Sequence, residues 1–132
     1  MKLLTKEADY ASQALALLAK KQGKFVSAAT IAKAKNVPEY FLKRILQKLI
    51  KSGYLIAKEG AQGGVKLAKS PSKIKLFDII TLFKGDLHIT NCIFRKKLCS
   101  NASTCILRKK MSEIEKKVSI ELKSFSIAEL IK

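Results

Sequence analysis

The stretch Ser27–Lys69, SAATIAKAKNVPEYFLKRILQKLIKSGYLIAKEGAQGGVKLAK, holds two short helical patterns, a tight turn between them, and two strand-like runs split by Gly60-Ala61-Gln62-Gly63-Gly64. Ser27 suits an N-cap, and Ala29, Ile31 and Ala32 give the first of these helices an apolar face. Asn36 tolerates the left-handed conformation that ends a helix, and Pro38 suits the first position of the next one. In the second helix Phe41, Leu42, Ile45, Leu46, Leu49 and Ile50 recur at spacings of three and four, which makes a core stripe. Tyr40, Lys43, Arg44, Gln47, Lys48 and Lys51 fall on the opposite face, and Gly53 closes the helix. Helix, turn, helix and hairpin in this order predict a winged helix-turn-helix.

A helix face of Lys, Arg, Gln and Tyr is what a major groove receives, since Arg and Lys pair with guanine edges, Gln with adenine, and surplus charge with phosphates. A merely solvated basic helix would present the same charges. The glycines favour DNA: a Gly-rich hairpin tip stabilises a core poorly, but it can approach a DNA backbone closely with Lys58 and Lys66 beside it. The residues expected at DNA are Ser27 and Thr30, then Tyr40, Lys43, Arg44, Gln47 and Lys48, and on the wing Lys58, Gln62 and Gly63.

Composition agrees. The 132 residues carry a formal charge of +17 and are 48% apolar, so the chain has a core and is not a disordered basic tail. Basic residues outnumber acidic ones in both halves, 14 to 4 over residues 1–69 and 13 to 6 over residues 70–132. No apolar run nears the roughly 20 residues of a membrane span. The start MKLLTKEADY lacks a signal peptide's apolar centre, so a cytoplasmic protein with no membrane partner is expected. Neither a nucleophile–base pair nor a nucleotide loop is apparent, because Gly60–Gly64 lacks the Gly-Lys-Ser/Thr ending of a phosphate loop; an enzyme is not expected.

Upstream, Thr5 caps a helix running to about Lys21, with Tyr10, Ala11, Ala14, Leu15, Leu17 and Leu18 inward and Glu7 and Asp9 in its first turns. Downstream, Ile74–Leu76 reads as a brief strand and Phe77–Lys84 as a helix stopped by Gly85. From about Thr104, Leu107, Met111, Ile114, Val118, Leu122 and Phe125 form a long amphipathic stripe suited to pairing with a second copy, and Ser126–Glu129 starts a last turn. The fold class is therefore mainly α with a small β-wing: residues 1–84 form the DNA-binding domain, and residues 85–132 form a cysteine loop and dimerisation helix in one compact chain. A homodimer suits a palindromic double-stranded operator.

The three cysteines are spaced Cys92-x6-Cys99-x5-Cys105. Buried small residues or free thiols are one reading. Zinc is another, although the common Cys-x2-Cys hairpin is absent. An iron–sulfur cluster is the third, because longer gaps let thiolates wrap a larger object. Arg95, Lys96, Lys97, Arg108, Lys109 and Lys110 flank the thiols and favour thiolate. His88, the only histidine, is a fourth-ligand candidate in reach along the chain.

The chain resembles the Rrf-two family of winged-helix regulators along nearly its whole length. The resemblance is carried by Leu4–Ala11 (LTKEADYA), Ile31-Ala32, Val37–Leu42 (VPEYFL), Leu46–Leu49 (LQKL), the Gly60–Gly64 tip, Leu67-Ala68 and the three late cysteines. It implies a dimeric transcription regulator, most simply a repressor, with a 2Fe-2S or 4Fe-4S cluster held by Cys92, Cys99 and Cys105. It also implies Asp9 as a fourth ligand, supplied across the dimer as in some nitric-oxide sensors of the family, with Glu7 and His88 as lesser candidates. The signal would be redox state, nitric oxide or cluster supply. Against the family pattern the first cysteine gap is six rather than five, Arg108 stands where assembly regulators carry a histidine, Lys43 replaces an acid and Glu59 an arginine. Cluster type, fourth ligand and operator sequence therefore stay open. The alternatives are a metal-free thiol-switch regulator and a zinc-stabilised structural or interaction module.

Overall fold

The computed structural model describes residues 3–85 and 106–131. Helix α1 (Lys6–Lys20) is capped by Thr5, whose Oγ1 accepts from the Ala8 N–H at 3.2 Å. Ser27 caps α2 (Ala28–Lys35) in the same way, accepting from the Thr30 N–H at 3.1 Å, and Asn36 ends it in the left-handed region at φ 54°, ψ 51°. Helix α3 (Glu39–Lys51) follows after Asn36, Val37 and Pro38, and Gly53 turns the chain out of it at φ 86°. Two expectations shift by one position. Pro38 is the N-cap of α3, at the non-helical ψ of 132°, rather than its first turn. Ala29 is exposed, and the inward face of α2 is Ala28, Ile31 and Ala32, because the helix is rotated to put Ile31 under α1 and α3.

Strands β1 (Leu55–Lys58) and β2 (Gly64–Leu67) pair antiparallel with Leu55 opposite Leu67 and Lys58 opposite Gly64. Period-two alternation sends Leu55 and Val65 into the core and Ile56, Lys58 and Lys66 outward. Val26 adds a third rung on the other edge of β2: Val26 and Val65 exchange backbone hydrogen bonds of 2.9 and 2.8 Å. That approach needs Gly64. Its φ is +145°, and a Cβ there would run into the Val26 carbonyl and the Ser27 nitrogen.

A short 3₁₀ turn, Pro71–Lys73, leads into α4 (Leu76–Lys84). The brief strand expected at Ile74–Leu76 is reduced to one bridge, Lys75 with Ser126, because Leu76 already opens α4. Among the described residues, helix α5 (Ile106–Ser124) has no buried residue, and of its apolar stripe only Leu122 packs on the core. A second 3₁₀ turn, Ile127–Ile131, then returns to the first half: the Leu76 N–H donates to the Phe125 carbonyl and the Ile127 N–H to the Ile74 carbonyl, both at 2.9 Å. Leu15, Leu18, Ile31, Leu42, Leu49, Ile74, Ile79, Ile80 and Ile127 are the largest fully buried side chains, so the core draws on α1 to α4 and on the last turn together. Burial of each contributes about 1.5–3 kcal/mol. Among the described residues no helix is long and apolar enough to cross a membrane.

Candidate nucleic-acid interface

Leu42, Ile45, Leu46 and Leu49 anchor α3, which leaves Tyr40, Lys43, Arg44, Gln47, Lys48 and Lys51 exposed on the other side; Tyr40 is 72% exposed. The face is not uniform. Lys43 Nζ lies 3.0 Å from Glu39 Oε2, one turn back, in an exposed pair of the kind that contributes only about 0.3–0.5 kcal/mol. DNA phosphate can therefore displace Glu39 at little cost. Lys48 turns the other way, its Nζ 5.2 Å from the centre of the Phe83 ring on α4. Arg44 and Lys48 line a hollow of about 210 Å³ with Glu7 of α1, Phe41, Ile45 and Phe83. Tyr10 of α1 meets Phe41 edge to face, ring centres 5.8 Å apart, so the start of α1 bears directly on the flank of α3.

The second basic region lies between the wing and the start of α2. Ser27, Thr30, Gln62 and Gly63 line one open groove of about 420 Å³ with Ala61, Val26, Lys21, Lys24 and Phe25. Four residues expected at DNA from the sequence, 27, 30, 62 and 63, are thus brought to one place. Gly63 is needed there because a Cβ would collide with the Lys58 carbonyl and Glu59, while the Gly63 N–H closes the tip onto the Gly60 carbonyl at 3.0 Å. Lys21, Lys24 and Phe25 were missed as site residues, since Gln22–Val26 reads as a plain connector. The signal available was the run of lysines on both sides of Gly23. At the root of the wing Lys69 Nζ sits 4.7 Å from the centre of the Tyr54 ring. Burial, with the Asp78 carboxylate adding to it, pushes the Tyr54 phenol above its ordinary value.

The metal candidates fare differently. Cys92, Cys99, Cys105 and His88 lie outside the described residues. Asp9 is partly exposed in the first turns of α1, where its Oδ1 accepts from Gln13 Nε2 at 2.9 Å. Among the described residues no three His, Cys, Asp or Glu side chains gather so as to hold a metal ion.

A helix presented by a trihelical core, beside a two-stranded wing with a glycine tip and lysines on both, defines a winged helix-turn-helix DNA-binding protein. A family model described as "Rrf2: Iron-dependent Transcriptional regulator" matches residues 4–132, and the chain belongs to this family. A protein of Aquifex aeolicus (strain VF5), named as an HTH-type transcriptional regulator, is 34% identical over 124 residues, covering 92% of this chain and 86% of that protein. Among solved structures, CymR, the global cysteine regulator of B. subtilis, superposes with a TM-score of 0.83 at 25% identity, covering 99% of this chain and 97% of that one. T. potens IscR does so at 0.75 and 26%, covering 99% and 86%. The chain is a DNA-binding transcriptional regulator, a non-enzymatic role.

Proposed function

We propose that the protein is a cytoplasmic, homodimeric repressor whose affinity for a palindromic operator is set by an iron–sulfur cluster held by Cys92, Cys99 and Cys105. Residues 1–84 read DNA through α3 and the wing, and residues 85–132 sense and dimerise. The observation that carries this reading is the spacing of three thiols within 14 residues of sequence, between α4 and α5, in a chain matched over residues 4–132 by an iron-dependent regulator family. Thiolates are the donors that select iron–sulfur clusters, and the cationic neighbours from Arg95 to Lys110 stabilise them. When bound, a cluster supplies oxidisable iron and sulfide whose charge and ligation change with redox state or nitric oxide.

The described residues offer a route from such a change to DNA. Asp9 precedes Tyr10, and Tyr10 rests edge-on against Phe41 of the recognition helix. Were the Asp9 carboxylate to leave Gln13 for a metal, the start of α1 would shift against α3 and alter the spacing of the two recognition helices. That spacing must match the duplex for both half-sites to bind.

A metal-free thiol switch is the second reading, supported by the likeness to CymR, the global cysteine regulator of B. subtilis, at a TM-score of 0.83. Anaerobic purification with absorbance, iron, sulfide and zinc analysis separates the readings. A brown protein carrying iron and sulfide that turns colourless on Cys99→Ala, while staying folded, supports the cluster. Colourless, metal-free protein whose DNA affinity changes on oxidation supports the switch, and stoichiometric zinc supports a structural site.

A further inference from the structure

We propose that Phe25 is a positioning residue for DNA binding: its ring is the seat on which the wing's two outward lysines are held ready for backbone phosphates. Lys58 comes from β1 and Lys66 from β2, and both ammonium groups lie over this one ring, at 5.6 and 5.0 Å from its centre. The backbone explains the convergence. Val26 pairs with Val65 on the inner side of the wing, so its neighbour Phe25 falls on the outer side, where Lys66 lies beside it and Lys58 one strand further. The ring's negative face attracts both cations and offsets their mutual repulsion. An ammonium resting on a ring still has N–H donors directed away from it. Phe25 also lines the groove that Thr30 and the glycine tip share with Lys21 and Lys24. The half-buried phenyl ring thus carries two lysines and borders a groove lined by two more, so a phosphodiester reaching the wing meets the Lys58 and Lys66 ammonium groups already held in place. Without the ring, two long flexible chains would have to be ordered at the moment of binding, which weakens affinity.

The inference rests on the wing touching the DNA backbone, and the test separates the two. The probe is a fluorescent mixed-sequence duplex of about 30 base pairs, titrated across a salt series, since binding to it is dominated by phosphate contacts. The protein carries mono-, di- or trifluorophenylalanine at position 25, which drains the ring's negative face while nearly keeping its shape. Affinity should fall stepwise with fluorination, to roughly three- to tenfold below wild type. The salt slope should decrease by up to about 0.9 for each lysine that no longer reaches phosphate. Phe25→Tyr should keep wild-type behaviour, and fluorination should have no effect in a Lys58→Ala/Lys66→Ala background. A flat fluorination series, alongside a clear loss in the double lysine variant, would overturn the role of Phe25 and leave wing contact intact. Unchanged affinity and slope in the double lysine variant would overturn both. An equal fluorination effect with and without the lysines would reduce Phe25 to a packing residue.

Discussion

Arg44 and Lys58 carry the same charge on different supports, and their loss should register differently. Arg44 and Gln47 project from a helix anchored by fully buried leucines, which gives them the fixed geometry that base pairing requires. Arg44→Ala or Gln47→Ala should cost about 1–3 kcal/mol on the operator and relax its sequence preference. Lys58→Ala should weaken operator and random DNA alike and lower the salt slope by about one. Isotherms on an operator panel at several salt concentrations will show this, and equal losses on specific and random DNA for all three variants would refute it. Tyr54 makes a pH-dependent contribution of its own. Its raised pKa means that the folded state holds the phenolic proton longer than the unfolded chain does. Stability is therefore retained below the ordinary phenol value of about 10 and lost as pH rises from there through the raised value. Tyr54→Phe should flatten the alkaline fall in Tm relative to wild type, and superimposable profiles above pH 10 would contradict the assignment.

Among the elements, the wing depends most on a single residue. Gly64→Ala places a side chain at φ +145° and drives its Cβ into the Val26 backbone, so the rung joining the wing to the start of α2 must open. The expected loss is at least about 1–3 kcal/mol, with Tm lower by several degrees. Gly60→Ala is the control, because its φ of +109° is also unfavourable yet its Cβ meets open space. A Tm deficit no larger for Gly64 than for Gly60 would show that the close approach contributes nothing. The helices and strands around the wing were legible because their signals are local: Thr5, Ser27, Asn36 and Gly53 mark their own boundaries, and the leucine and isoleucine spacing of α3 fixes its inward face. Ala29 and Ile74–Leu76 were misread, and Phe25 drew no notice, because their surroundings are set by distant partners. Ala28 rather than Ala29 turns inward through the tilt of α2, Ile74 is bonded by Ile127, and Phe25 gains its lysines only when Val26 joins β2. Of the site, the α3 face and glycine tip could be read from residue type, whereas the groove uniting positions 27, 30, 62 and 63 exists only after folding.

At the scale of the molecule, α5 is a helix of roughly 28 Å in which no residue is fully buried among the described residues. Ile106, Leu107 and Ile120 are 81%, 68% and 67% exposed. If α5 pairs two copies as proposed, Leu107→Glu with Ile114→Glu should raise the dimer dissociation constant at least a hundredfold, since two such side chains contribute about 3 kcal/mol or more when buried. Sedimentation should show monomers, circular dichroism an intact helical protomer, and operator binding a steep loss. A variant that stays dimeric would place the interface elsewhere. The return of the chain after α5 bears on how the protein comes to exist. Ile127 fills a core position beside α1 and Ile74, so the DNA-reading half is incomplete until synthesis has passed the cysteine segment and the whole of α5. A nascent chain halted anywhere between Asp86 and Ser124 lacks Ile127, and its core has a hole at that position. The order of translation thereby ties completion of the DNA-binding core to completion of α5.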